Sequence, residues 1–373
     1  MILLGRDADA DESGGPTGHL GACLARDGSR GARVEIDLDR SHAAVVVGKR
    51  GYGKSYTLGV LAEELVTTAG VTPVVVDPMG AFEQLATSLD GARRVAHPTV
   101  QASAVPPSSW PALLGLSPTS GAGGLVWRAA AQADTLTGMC EWIQVSKADL
   151  TARRAAENHL GLASSWDVFD SDGLSAAELL SQQATVIDCS GLADAPMNAV
   201  VRAIGSDLYE TCVSTTPRRL PWLLVDEAHA FFGGDGAEAP TPSRSDGGGI
   251  AAPALKTILT RGRAPGVSLV LATQRPAALP PAAVSQADVL LAHRLTTEPD
   301  LQAVARARPT YANRGLRERL PDSPGEVVLV DDTTEAVHAV QIRKRKTPHD
   351  GDSARVSERK PVGRREREPA DTG

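Results

Sequence analysis

The sequence predicts an α/β protein, a mostly parallel sheet flanked by helices and interrupted by one α-helical insertion. Three observations predict it. Short β-branched apolar runs recur and several end in a carboxylate, as in Val74-Val75-Val76-Asp77, Thr185-Val186-Ile187-Asp188 and Leu223-Leu224-Val225-Asp226-Glu227. Runs of that kind are strands buried on both faces, which parallel sheets require. Segments of helical spacing separate them, such as 56–66 with Leu58, Val60, Leu61, Leu65 and Val66. Finally, Ala44-Val45-Val46-Val47 passes directly into a glycine-rich loop and then into that helix.

The chain has 373 residues, enough for one large α/β domain with an insertion or for two domains. A hydrophobic fraction of 42% supports a proper core. No apolar run approaches the roughly 18 residues of a membrane span. No basic leader precedes an apolar stretch at the N-terminus, so a cytoplasmic protein without membrane contact is expected. Cys23, Cys140, Cys189 and Cys212 are scattered, which argues against a disulfide framework or a metal cluster. Net charge is −7, but residues 342–373 carry an excess of +4, leaving −11 elsewhere. A body so acidic confines any DNA contact to a local surface, a pore lining or the tail.

In order, residues 1–32 are expected to be poorly ordered, because 7–31 is rich in Asp, Gly and Ser. Residues 33–97 form the first part of the core, with strands at 34–38, 44–47 and 71–77. Residues 98–182 change character: Pro106-Pro107 and a Pro/Ser/Gly stretch punctuate an Ala- and Leu-rich region. Helices are expected there over 125–139 and 146–163, the second capped by Ser146, with no strand. Trp110, Trp127, Trp142 and Trp166 are assigned to core packing. Residues 183–341 complete the core, with strands at 184–188, 222–225, 267–272, 288–292, 326–330 and 336–341. Helices are expected near 196–212 and 251–261, and a polar loop over 233–249. The tail 342–373 opens with Arg343-Lys344-Arg345-Lys346 and is expected to be disordered.

The loop Gly48-Lys49-Arg50-Gly51-Tyr52-Gly53-Lys54-Ser55 fits the phosphate-loop pattern of a glycine, four free positions and Gly-Lys-Ser/Thr. Small residues let backbone N–H groups curl around a triphosphate, and the helix N-terminus adds its positive end. These eight residues and Tyr56 are the candidate nucleotide-binding set. Lys54 would reach the β- and γ-phosphates, and the Ser55 hydroxyl would hold Mg²⁺. Asp226 and Glu227, at a strand end, divide the remaining work: Asp226 for Mg²⁺, Glu227 as general base toward water. Gln274 ends a later strand at the same sheet edge, where its amide can touch the γ-phosphate. Arg261 and Arg263 precede that strand and so occupy the opposite edge. From there an arginine, Arg261 slightly favoured, can reach a neighbour's γ-phosphate in a ring. The alternative is a surface arginine paired with a carboxylate.

The phosphate loop, Asp226-Glu227-Ala228-His229, Thr260-Arg261-Gly262-Arg263 and Ala272-Thr273-Gln274-Arg275-Pro276 together resemble the HerA/FtsK superfamily of ATPases. Ser285-Gln286-Ala287-Asp288 and Ala292-His293-Arg294-Leu295 add to the likeness, which spans roughly residues 33–345 and is nearest to archaeal HerA-like DNA translocases and helicases. The resemblance implies a RecA-like core that binds ATP and Mg²⁺. It also implies a homo-oligomeric, hexameric ring that pumps double-stranded DNA, and a NurA-type nuclease partner in DNA end processing or repair. It assigns the site to Lys54, Ser55, Asp226, Glu227, Gln274 and one arginine of the 261–263 pair. Two features depart from the family pattern. The 33 or so residues before the first strand are too few for the small β-barrel that opens typical members, and Tyr52 is bulky where a small residue is usual. The superfamily includes conjugative-transfer ATPases as well. The alternative is therefore an ATPase of a transfer, defence or assembly system that uses ATP for oligomer switching. The C-terminal motif of DEAH helicases, the Leu-Ser-Gly-Gly-Gln of ABC transporters and the Asn-Lys-x-Asp of GTPases do not occur.

Overall fold

The computed structural model describes residues 1–6, 14–25, 27–232, 249–306 and 319–349. Residues 233–248 of the expected polar loop and the tail from 350 onward lie outside the described residues. The chain opens with β1 (Ile2–Leu4), β2 (Thr17–Leu24), β3 (Arg30–Asp37), β4 (Ala43–Val47), α1 (Lys54–Thr67), β5 (Val71–Asp77), α2 (Glu83–Ser88) and β6 (Ala92–Val95). The insertion follows as α3 (Trp110–Leu113), α4 (Gly121–Ala130), α5 (Leu136–Val145), α6 (Leu150–Ser164) and α7 (Ala176–Ser181). The core resumes with β7 (Ala184–Asp188), α8 (Asp194–Ser214), β8 (Leu220–Val225), α9 (Ala252–Arg261), β9 (Ser268–Thr273) and α10 (Pro281–Ser285). It closes with β10 (Val289–Ala292), α11 (Glu298–Arg306), β11 (Glu326–Asp331) and β12 (Ala336–Ile342).

These strands form one sheet in the order β1-β3-β2-β12-β11-β10-β4-β9-β8-β5-β7-β6. From β10 to β6 every pairing is parallel. The other half is antiparallel except where β1 joins β3. The parallel half is sandwiched between helices, and the alternation along β4 shows how. Val45 and Val47 point into one core with α8, α9 and the insertion, while Ala44 and Val46 point into the other with α1 and α2. A strand with a core on each face must be apolar throughout, as β4 is. The parallel strands carry their C-terminal ends to a common edge, where α/β folds place ligands.

Several local expectations need correction. Residues 1–32, expected to be poorly ordered, supply β1, β2 and the start of β3. Leu4 and Leu20 are fully buried, and β2 pairs with β12 from the far end of the chain, Val340 opposite Cys23. The expected helix over 125–139 is two helices, α4 and α5, because Thr135 caps the second by accepting the Gly138 N–H. Asp149, not Ser146, caps α6, accepting from Thr151 and Ala152. Trp110 is fully buried, whereas Trp127 is 46% exposed and not a core residue. The strand β6 is not among the expected strands, because Arg93 and Arg94 make it polar; at the sheet edge Arg94 pairs with Asp188 and Glu83. The tail is ordered as far as it is described, and Arg343 to Thr347 pack on α1. No described helix is long and apolar enough to cross a membrane.

Candidate functional site

The loop 48–55 leaves β4 at the C-terminal edge of the sheet and enters α1. Gly53 caps α1 with φ 106°, no side chain caps the helix, and its first turn holds no acidic residue. A bare helix N-terminus leaves its N–H groups and positive dipole end for an anion. The loop is anchored from both neighbouring strands. Gly48 N–H donates to Thr273 O at 3.3 Å and Lys49 N–H to Arg294 O at 2.8 Å. Lys54 curls back with Nζ 3.4 Å from Lys49 O, and burial lowers its pKa against the opposing charges of Glu227 and Asp226. Lys49 places its ammonium over the Tyr52 ring at 5.0 Å, and the Tyr52 carbonyl accepts the Gly325 N–H at 3.2 Å. The bulk of Tyr52 thus serves as a platform for a cation beside the loop.

The acids of β8 arrive two strands away. Ser55 Oγ donates to Asp226 Oδ2 at 2.6 Å, which joins the loop to the carboxylate that follows β8. Burial raises the Asp226 pKa, and the Ser55 hydrogen bond opposes the shift. A hydroxyl and a carboxylate in contact are hard oxygen donors suited to Mg²⁺. Glu227 is held in the left-handed region, φ 45°, a conformation costly for a non-glycine residue and frequent at functional sites. Burial raises its pKa, with Lys54, the Gln274 N–H and Arg50 acting the other way. Its Oε2 is buried without a hydrogen-bond partner, and His229 Nδ1, on a ring whose protonation burial disfavours, lies 3.4 Å away. An orphaned carboxylate oxygen beside a phosphate-binding loop suits a proton acceptor toward water. Arg50 and Gln274 complete this edge, lining with Lys49 a cleft of about 750 Å³ beside the loop.

Tyr56 faces away from the loop. Its hydroxyl accepts the Arg345 N–H at 2.7 Å, so its side chain belongs to the tail contact. Arg261 and Arg263 sit before β9, while Gln274 follows it, and six residues of strand separate the two edges by about 20 Å. Arg263 pairs with Asp288 Oδ2 at 3.1 Å, which is the surface-pair alternative for that residue. Arg261 ends α9, exposed to solvent. The structure therefore gathers Lys54, Ser55, Asp226, Glu227 and Gln274 at one edge and leaves both arginines at the other.

Comparison with known proteins agrees with this geometry. The family described as "Helicase HerA, central domain" matches residues 19–115. VirB4 of Thermoanaerobacter pseudethanolicus superposes with a TM-score of 0.66 at 16% identity, over 90% of this chain and 98% of that one. The chain shares the fold of VirB4, a mostly parallel sheet flanked by helices. The plasmid coupling protein TrwB in complex with ADP and Mg²⁺ superposes with a TM-score of 0.53 at 13% identity, over 91% of this chain and 98% of that one. The genome packaging NTPase B204 from Sulfolobus turreted icosahedral virus 2, bound to AMPPCP, superposes more loosely, with a TM-score of 0.42 at 12% identity, over 80% and 96% of the two chains. No curated protein matches.

Two further residues join the site. Asp77, at the end of β5, accepts the N–H groups of Met79, Ala81 and Phe82. Burial still raises its pKa, and the neighbouring Asp226 charge adds to the shift. Strand-end acids were the available signal, since Asp77 ends its strand as Asp226 follows another. His293, fully buried behind the loop, belongs to a stretch that adds to the family likeness, but only tertiary packing brings it against the loop.

Proposed function

We propose that this chain is an ATP-hydrolysing DNA motor that works as a hexameric ring of identical subunits. The observation that carries the reading is the division of the site between two sheet edges. One edge holds Lys54, Ser55, Asp226, Glu227 and Gln274, and the other presents the exposed Arg261. A site so divided is completed when a second copy brings its arginine edge to the first copy's phosphate loop.

In this reading ATP supplies the scissile phosphoanhydride and Mg²⁺ neutralises charge on its phosphates. Lys54 and the loop N–H groups bind the β- and γ-phosphates. Ser55 and Asp226, already in contact at 2.6 Å, hold the metal. Glu227 accepts the proton of the attacking water at its unpartnered Oε2. Burial makes that carboxylate a stronger base than an exposed one. Gln274 reports the γ-phosphate, and Arg261 of the adjoining copy stabilises the transferring group. TrwB was solved with ADP and Mg²⁺, which supports the same ligands here.

The deciding experiment is the ATPase rate with and without duplex DNA, measured beside native mass. Stimulation by duplex DNA that weakens steeply with salt, in a hexamer, supports the motor. ATP-dependent assembly with no DNA effect favours the second reading, an ATPase of a conjugative-transfer, defence or assembly system that switches oligomers. The likeness to VirB4 and to the conjugative coupling protein TrwB, along nearly the whole of both chains, supports that reading as a competitor. A NurA-type nuclease would accompany the motor in DNA end processing, and co-purification tests the pairing.

A further inference from the structure

We propose that His293 is a positioning residue for ATP, the buried template on which the phosphate loop 48–55 is shaped. The inference rests on the reading of that loop as the triphosphate site. β10 runs parallel to β4 with Ala292 opposite Val47, so the next residue of each strand is His293 and Gly48. The ladder continues one step beyond the strands, His293 N–H donating to Val47 O at 2.8 Å. The side chain then packs behind the loop. A Cβ on Gly48 would stand 2.5 Å from His293 Cβ, and one on Gly53 would stand 3.3 Å from His293 Cε1. Both pattern glycines are thus fitted to this residue as well as to a phosphate. Its Nε2 lies 3.0 Å from Thr57 Oγ1, in the first turn of α1, where Thr57 N–H closes on Gly53 O at 2.8 Å.

A histidine that merely fills core would be replaceable by leucine and would not leave a polar atom stranded. Here Nδ1 is buried without a partner at hydrogen-bonding geometry, and beyond Thr57 the ring has only the weaker pull of the Tyr52 and Glu326 carbonyls, a cost that a space-filling residue avoids. Burial, and then the charge of Lys54, pushes the imidazole down to about 3, with the Tyr52 and Glu326 carbonyls opposing the shift. The ring is therefore neutral under working conditions. It shapes the loop and anchors the first turn of α1 without placing a second cation beneath Lys54.

The test compares wild type, His293→Leu, His293→Gln and Thr57→Val by calorimetric titration with ATP in Mg²⁺, together with KM and kcat. His293→Leu should raise Kd and KM about tenfold while kcat changes less than threefold, the loss of one good hydrogen bond. His293→Gln, which still reaches Thr57, should recover most of the affinity. Thr57→Val should weaken ATP by a similar factor and add little on the leucine background, because the two share one interaction. Thr57→Val and His293→Gln carry the test if the leucine variant does not fold. Unchanged ATP affinity in Thr57→Val, no recovery with glutamine, or fully additive losses would overturn the proposal. Wild-type protein that binds no ATP would overturn the phosphate-loop reading itself, and this inference with it.

Discussion

Replacing Glu63 with glutamine removes a charge from the one place where the tail grips the phosphate-loop helix. Glu63 lies on α1, fully buried, and its carboxylate accepts four hydrogen bonds from the tail. They come from Thr347 N–H at 2.8 Å, Thr347 Oγ1 at 2.7 Å, Lys346 N–H at 2.9 Å and Arg343 Nη1 at 2.7 Å. Burial by itself would raise the pKa of this group, but these donors outweigh it and the net shift is downward. Glutamine keeps the shape, turns one acceptor into a donor that faces other donors, and leaves Arg343 without its full counter-charge. Charge-assisted hydrogen bonds contribute about 1.5–3 kcal/mol each, and breaking one side of a buried ion pair costs about 3–5 kcal/mol. Glu63→Gln should therefore lose about 3–5 kcal/mol, which in a chain of this size lowers Tm by roughly 4–6 °C. Thermal unfolding followed by circular dichroism measures the shift, and limited proteolysis should show new cleavage at 343–347. A variant within about 1 kcal/mol of wild type, with an equally protected tail, would refute the claim that this contact holds the tail to α1.

Glu227→Gln should keep ATP binding and lower turnover by about 10²–10⁴, the usual contribution of a general base; single-turnover hydrolysis at the wild-type rate would remove Glu227 from that role. Arg261→Ala subunits should poison mixed rings, with activity falling faster than the mutant fraction. Arg263→Ala should change stability by less than about 1 kcal/mol, since its side chain is 77% exposed beside Asp288. Purely proportional loss on mixing with Arg261→Ala would argue against completion between subunits. His293, whose folded pKa is depressed from 6.5 to about 3, contributes stability that is present above pH 6.5 and lost as pH falls toward 3. The slope from this group approaches about 1.4 kcal/mol per pH unit, and His293→Gln should flatten it in acid denaturation.

The phosphate loop was legible because its chemistry is contiguous: eight residues, a strand before them and a helix after. Asp226 and Glu227 were legible for a similar reason, as carboxylates set directly after an apolar run. Their meeting with the loop was a deduction from sheet edges, and the 2.6 Å contact between Ser55 and Asp226 is its physical form. The direction of the Tyr56 side chain was not legible, because adjacency in sequence says nothing about which way a helical side chain points. Its hydroxyl meets Arg345, 289 residues later. The sequence favours Arg261 over Arg263 only slightly, and the Asp288 carboxylate beside Arg263 is what sets the two apart.

Taken alone, the sequence determined the α/β class, the positions of the central strands and the candidate nucleotide-binding edge. Those properties live in short-range pattern: β-branched runs, helical spacing and a glycine loop, each complete within about a dozen residues. Tertiary structure decided what pattern could not carry. It made a strand of Thr17–Leu24, although the segment is poor in strand formers, because β3 and β12 supply its hydrogen bonds. It seated a basic tail on two glutamates of α1, and it set His293 behind Gly48 and Gly53. Each of these joins residues far apart along the chain, and burial and pairing at that range depend on the assembled sheet rather than on any local window.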